Sequence, residues 1–129
     1  MSHVLVVDDD QDVLDSYQAI FETNDCKVST FTSGVNALKL IMETEIHAVF
    51  CDLMMPTMAG DMFYKAVQRI KPDLCARFVF ITGFEGNPRF EEFMMKERPV
   101  VLYKPVTVGK LLAALNTALQ KPSSVKPKA

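Results

Sequence analysis

Residues 3–10 of the chain are His3-Val-Leu-Val-Val7-Asp8-Asp9-Asp10, a short β-branched run that stops at three acids. An apolar run of this length, closed by polar residues, is typical of a buried strand. Apolar residues then recur at helical spacing, with Asp10 or Gln11 near the helix start: Val13, Leu14, Tyr17, Ile20 and Phe21. The stretch therefore predicts a strand followed by an amphipathic helix.

The same alternation repeats along the chain. Further strands are predicted at 28–31, 47–51, 78–81 and 100–103, each followed by a segment with helical spacing. The helix starts carry capping residues, namely Ser33, Asn87 before Pro88, and Thr107. The predicted inward faces are Ala37, Leu38 and Ile41; Phe63, Ala66, Val67 and Ile70; and Leu111, Leu112, Leu115 and Leu119. Five strands alternating with five helices predict an α/β fold with a parallel sheet covered on both faces.

Length and composition indicate one globular domain. A chain of 129 residues, 49% of them apolar and 23% charged, can bury a core and is too apolar to be disordered. A net charge of −2 gives no electrostatic reason to expect nucleic acid or a membrane as partner. No signal-peptide pattern or membrane-spanning run is present, so a cytoplasmic location is expected. We assign residues 1–120 to the domain and the Pro-, Ser- and Lys-rich residues 121–129 to a disordered tail or linker.

Polar residues follow four of the five predicted strands. Asp8 and Asp9 end the first, Asp52 the third, Thr82 the fourth and Lys104 the fifth. In an open parallel sheet, ligands bind beyond the carboxyl ends of the strands, so these side chains are expected to converge.

Such a cluster suits phosphoryl chemistry. Neighbouring carboxylates repel each other unless a cation lies between them, and their hard oxygens suit Mg²⁺. A lysine can hold a phosphate oxygen, a threonine can donate a hydrogen bond, and an aspartate can attack phosphorus. Taken singly, the acids could be helix caps, and Thr82 and Lys104 ordinary surface residues. It is their joint occurrence at four strand ends that favours a phosphorylation site.

Over residues 3 to about 120 the chain resembles the response-regulator receiver family of two-component signalling. The matching motifs are Val-Val-Asp8-Asp9-Asp10, Asp52-Leu-Met-Met-Pro56-Thr-Met-Ala-Gly60, Phe80-Ile-Thr82-Gly83 and Tyr103-Lys104-Pro105. The resemblance implies a flavodoxin-like three-layer sandwich with strand order 2-1-3-4-5.

The resemblance also implies the metal site. Asp52 would be the phosphoacceptor, with Mg²⁺ or Mn²⁺ as cofactor. Asp9 would bind the metal directly and Asp8 through water, and Asp52 and the backbone carbonyl of Met54 would complete the protein ligands.

The resemblance implies that the remaining motif residues bind the phosphoryl group and change a partner-binding surface when it is present. Thr82 and Lys104 would bind phosphoryl oxygens, and the Lys104–Pro105 bond would be cis. Phosphorylation would draw Thr82 inward and let Tyr103 rotate into the space, which would change a partner-binding surface.

The implied partners are a sensor histidine kinase or a histidine phosphotransfer protein, with a covalently linked kinase or effector domain as a further partner. Gly83 and the sequence Glu97-Arg98-Pro99 depart from the commoner pattern and resemble receivers fused to hybrid histidine kinases. The unphosphorylated domain is expected to be a monomer that binds no nucleic acid directly. It is expected to catalyse only its own phosphorylation and dephosphorylation.

Two flanking positions bear on the lifetime of the phosphorylated state. Met54 and Phe84 are bulky and apolar and cannot orient a water for attack, so self-dephosphorylation is expected to be slow.

Three other functions remain open. A phosphatase of the haloacid-dehalogenase type needs a second aspartate where this chain has Met54. A docking module would not require the full set of phosphorylation residues, and a DNA-binding regulator would need a basic helix, which the sequence lacks.

Overall fold

The computed structural model describes residues 1–83 and 88–121, in which strands and helices alternate. In chain order the elements are β1 (Ser2–Val7), α1 (Gln11–Glu22), β2 (Cys26–Phe31), α2 (Gly34–Glu43), β3 (Ala48–Asp52), α3 (Gly60–Ile70), a 3₁₀ helix (Pro72–Arg77), β4 (Phe78–Thr82), α4 (Pro88–Glu97), β5 (Val100–Tyr103) and α5 (Val108–Gln120).

The five strands form one parallel sheet with the order β2-β1-β3-β4-β5. Alternate residues of each strand point to opposite faces, so the sheet divides the core in two. Leu5 and Val7 of β1 pack in the core that α2, α3 and α4 cover, whereas Val4 and Val6 pack in the core beneath α1 and α5. This arrangement confirms the predicted doubly wound α/β sandwich.

Two of the predicted helix caps are formed. The Asp10 side chain accepts a hydrogen bond from the backbone N–H of Asp12 at 3.0 Å, and Thr107 accepts one from Lys110 at 3.2 Å. Ser33 stands at the cap position of α2 but makes no side-chain capping bond. The predicted cap Asn87 lies outside the described residues.

The chain between α3 and β4 differs from the prediction. Ile70, predicted to lie on the inward face of α3, is 41% exposed. The helix ends at this residue, and Pro72 starts a 3₁₀ helix that helical periodicity did not reveal. Leu74 of that short helix is buried, so the apolar side chain that packs into the core here comes from the 3₁₀ helix and not from Ile70.

No helix among residues 1–83 and 88–121 is long and apolar enough to cross a membrane. Of the predicted tail, residues 122–129 lie outside the described part of the chain. The assignment of 121–129 to a tail or linker therefore stays a prediction.

Candidate functional site

Asp8 and Asp52 lie side by side at the carboxyl edge of the sheet, because β1 and β3 are paired in parallel. Both residues are buried, with 2% and 6% of their surface exposed. Asp8 Oδ1 accepts a hydrogen bond from the backbone N–H of Asp10 at 2.9 Å, and Asp52 Oδ1 accepts one from Met54 at 3.0 Å. One oxygen of each carboxylate is thus fixed by the loop that follows its own strand.

Lys104 bridges the other two carboxylate oxygens. Its Nζ lies 3.1 Å from Asp8 Oδ2 and 3.1 Å from Asp52 Oδ2. The backbone N–H of Lys104 donates to the carbonyl of Thr82 at 2.8 Å, and the Lys104–Pro105 peptide bond is cis. The end of β5 therefore places an ammonium group between two acids that are far away in sequence.

Burial and charge shift the pKa values of Asp8 and Lys104. Burial raises the pKa of Asp8, although the Asp10 N–H and Lys104 work against this rise. For Lys104, burial alone would lower the pKa, but the carboxylates of Asp52 and Asp8 outweigh it, so the pKa is raised. The lysine therefore stays charged at neutral pH and offsets the repulsion between the two acids.

Asp9 adds a third carboxylate on the solvent side. Ligand oxygens of Asp8, Asp9 and Asp52 all lie within 4.8 Å of one another, and Asp9 is exposed whereas the other two are buried. Mg²⁺ binds oxygens at about 2.0–2.1 Å and keeps several waters, so a cluster of this width with one open side fits the ion. The donor set therefore suits Mg²⁺ or Mn²⁺. Met54, whose carbonyl was predicted as a further ligand, lies in the loop directly after Asp52.

Thr82 and Tyr103 are neighbours at the ends of β4 and β5, where the strand register pairs them. Thr82 is fully buried, whereas Tyr103 on the edge strand is 43% exposed. The structure thus brings both residues of the predicted switch next to Lys104. Phe84, predicted to tune dephosphorylation, lies outside the described residues.

Gly60 supports the site in a way that sequence reasoning missed. Its backbone N–H donates to the Leu53 carbonyl at 2.9 Å. A Cβ atom added to Gly60 would lie 2.5 Å from the Asp52 carbonyl oxygen and 2.9 Å from Leu53 Cα. The start of α3 therefore packs directly on the backbone of the central aspartate. The sequence carried only a weak signal of this contact, namely a glycine eight positions after Asp52.

Comparison with known proteins gives consistent matches. A family model described as "Response regulator receiver domain" matches residues 4–116. Response regulator SaeR of Staphylococcus aureus (strain USA300) is 39% identical over 83 residues, which are 64% of this chain and 35% of SaeR. The chain thus matches only about a third of the length of that relative.

Solved structures show the same architecture. A response regulator receiver domain protein from Clostridium thermocellum superposes with a TM-score of 0.82 at 28% identity, covering 92% of this chain and 94% of the other. A CheY-like receiver domain protein from Methanospirillum hungatei JF-1 gives a TM-score of 0.84 over 92% and 94% of the two chains. At 22% identity, this second match supports the fold alone.

Proposed function

Since the chain belongs to the response regulator receiver domain family of two-component signalling, we propose that it accepts a phosphoryl group on Asp52 with the help of Mg²⁺. The observation that carries this proposal is the Lys104 ammonium, 3.1 Å from the carboxylate oxygens of both Asp52 and Asp8. A nucleophile for phosphorus, a cation for the phosphoryl oxygens and carboxylates for a metal thus occupy one edge of the sheet.

The transfer forms one bond and breaks another. An oxygen of the Asp52 carboxylate attacks the phosphorus of a phosphohistidine, the P–N bond breaks, and its electron pair leaves with the imidazole. Lys104, whose ammonium lies 3.1 Å from Asp52 Oδ2, would bind a phosphoryl oxygen, and the hydroxyl of Thr82 at the next strand end would supply a neutral donor. Mg²⁺ bound by Asp8, Asp9, Asp52 and the Met54 carbonyl would neutralise charge on the transferring group.

We further propose that phosphorylation of Asp52 changes the conformation at the ends of β4 and β5. An aspartyl phosphate adds acceptor oxygens and negative charge beside Thr82, which would draw that hydroxyl toward the site. Tyr103, the register partner of Thr82 and half-exposed on the edge strand, would then turn inward. A partner that contacts the surface around Tyr103 would distinguish the two states.

The proposed phosphodonor is a sensor histidine kinase or a histidine phosphotransfer protein. The phosphoryl group ends on the chain's own Asp52, so the domain acts as a switch that modifies itself and not as an enzyme with a separate substrate. The cytoplasmic location and the monomeric state stay predictions.

Intact mass spectrometry after incubation with acetyl phosphate tests the proposal. We expect a Mg²⁺-dependent gain of one phosphoryl group in the wild type and none in Asp52→Asn. Asp12→Asn, which changes an exposed acid in the first turn of α1, is the matched control and should be phosphorylated like the wild type. A folded wild-type protein that forms no adduct would instead favour the docking-module function.

The lifetime of the phosphorylated state depends on the side chain at position 54, which lies beside the site and is 38% exposed. Met54→Glu is expected to speed loss of the phosphoryl group by about tenfold, because a carboxylate there can orient an attacking water. Decay is followed by mass after the donor is removed. Met42→Glu, an equally polar change on the exposed side of α2, should leave the decay rate as it is. Equal decay in all three proteins would refute the role of Met54.

A further inference from the structure

His3 and His47 lie together at the amino edge of the sheet, opposite the edge that carries Asp8 and Asp52. His3 is the second residue of β1, and His47 directly precedes β3. They are the only two histidines in the sequence. Because histidine is the side chain that ordinarily gains a proton between pH 8 and pH 5, mild acid acts on this pair.

The ring of His47 completes the pairing of β1 with β3. The His3 backbone N–H donates to His47 Nδ1 at 2.8 Å, and the His47 backbone N–H donates to the His3 carbonyl at 2.8 Å. The strand register continues from there with Val4 opposite Ala48. A side-chain nitrogen of His47 is thus the acceptor for the first N–H that β1 directs at β3.

This hydrogen bond requires that the His47 ring be neutral. A neutral imidazole has one N–H donor and one acceptor nitrogen, whereas a protonated ring has two donors. Since Nδ1 accepts from His3, the ring hydrogen of neutral His47 is on Nε2. A second proton would occupy Nδ1 and face the His3 N–H. The bond would then break, and a strand N–H would lose its partner.

The His3 ring responds to acid in the same direction. It is buried, and its Nε2 lies 2.7 Å from Ser29 Oγ on β2. Burial, together with the charges of Lys27 and His47, lowers the pKa of His3. As the pH falls below about 6.5, the unfolded chain binds a proton that the folded His3 does not, so the stability contributed by the neutral ring is lost.

Glu45 acts against this effect, but weakly. Its Oε1 lies 3.7 Å from His47 Nε2, and its side chain is 85% exposed, so water screens an ion pair with protonated His47. The hydrogen bond to the His3 N–H is shorter and belongs to a buried residue, so it outweighs the ion pair. Further charged groups near this edge are the amino terminus, Asp25, Lys27, and the residues that line one cavity with Glu45, namely Lys71, Asp73 and Arg77.

We propose that His3 and His47 form a pH-sensitive contact that holds the start of β1 on β3 at neutral pH and releases it in mild acid. This contact is independent of the phosphorylation of Asp52, because it lies at the opposite edge of the sheet. Its release removes the first pairing between the two strands that place Asp8 and Asp52 at the other edge. Mild acid therefore lowers the stability of the domain through these two residues.

Urea denaturation of the wild type and His47→Asn at pH 7.5 and pH 5.5 tests the proposal. Asparagine Oδ1 can accept from the His3 N–H in place of Nδ1, and it does not titrate. A histidine that stays neutral in the folded state raises the unfolding constant about tenfold between these pH values, because the unfolded chain binds the proton. We expect this rise to be about three- to tenfold larger in the wild type than in His47→Asn. Titration of carboxyl groups is common to both proteins and cancels in the comparison.

Glu45→Gln is the matched control and should keep the wild-type rise within about twofold, since the side chain is exposed. In an NMR titration of the wild type, the His3 backbone amide signal should shift with the same midpoint as the ring signals of His47. An equal rise in the wild type and His47→Asn would overturn the proposal. A larger rise in His47→Asn would also overturn it, and would show that the ion pair with Glu45 is the dominant contact of His47. A His47 ring that titrates without moving the His3 amide signal would overturn it without the use of any variant.

Discussion

Lys104→Met is expected to lower the free energy of unfolding by about 2–4 kcal/mol in buffer without divalent metal. Methionine keeps the apolar stem but removes the ammonium that lies 3.1 Å from both Asp8 and Asp52. The two carboxylates, which are 2% and 6% exposed, then face each other with no cation between them. The lysine side chain is itself 29% exposed, so the loss should stay below that of a fully buried ion pair. The change in the free energy of unfolding is measured by urea denaturation.

The effect of Mg²⁺ on stability tests whether repulsion between Asp8 and Asp52 causes the loss. A ligand that binds only the native state stabilises it, and carboxylates freed from Lys104 should bind the ion more tightly. Saturating Mg²⁺ is therefore expected to stabilise Lys104→Met more than the wild type and to recover most of the loss. Lys39→Met, at an exposed position of α2, is the control and should change stability little in either buffer. If Mg²⁺ stabilised both proteins equally, repulsion between Asp8 and Asp52 would not be the cause of the loss.

The convergence of Asp8, Asp52 and Lys104 could be predicted because it follows from a general property of parallel sheets. Asp8 and Lys104 directly follow β1 and β5, and Asp52 is the last residue of β3. Parallel strands bring their carboxyl ends to one edge of the sheet. The order of the strands, by contrast, does not follow from this property. Periodicity along the chain does not state which strand pairs with which, so the order came from the family resemblance and was confirmed by the sheet.

The contacts that sequence patterns did not predict depend on where a helix ends or on residues far apart in the sequence. The apolar spacing of α3 runs on to Ile70, but the chain turns at Lys71 and Pro72, which leaves that side chain exposed. The ion pair between Asp61 and Arg89 joins residues 28 positions apart, and no local pattern marks either partner. The end of α3 and the Asp61–Arg89 ion pair depend on how the helices pack on the sheet. The hydrophobic pattern predicts which face of a helix is buried, but it does not predict individual contacts.

Gly60→Ala is expected to destabilise the protein by about 2–4 kcal/mol, because the added methyl group has no space. The new Cβ would lie 2.5 Å from the Asp52 carbonyl oxygen and 2.9 Å from Leu53 Cα, and both obstacles are backbone atoms. Relief therefore requires that α3 move away from β3 or that the Asp52 backbone shift. Either movement disturbs the carboxylate, so the rate of phosphorylation by acetyl phosphate, corrected for folded protein, should also fall.

Gly109→Ala is the matched control for this substitution. Gly109 lies in the first turn of α5, and nothing lies within 4 Å of a Cβ placed there. Alanine should therefore stabilise the helix by roughly 0.5–1 kcal/mol, the usual gain over glycine inside a helix. Urea denaturation of the two variants should thus give changes of opposite sign. If Gly60→Ala were as stable as the wild type and reacted at the same rate, the packing of α3 on Asp52 would not constrain the site, and glycine would be needed there for neither stability nor chemistry.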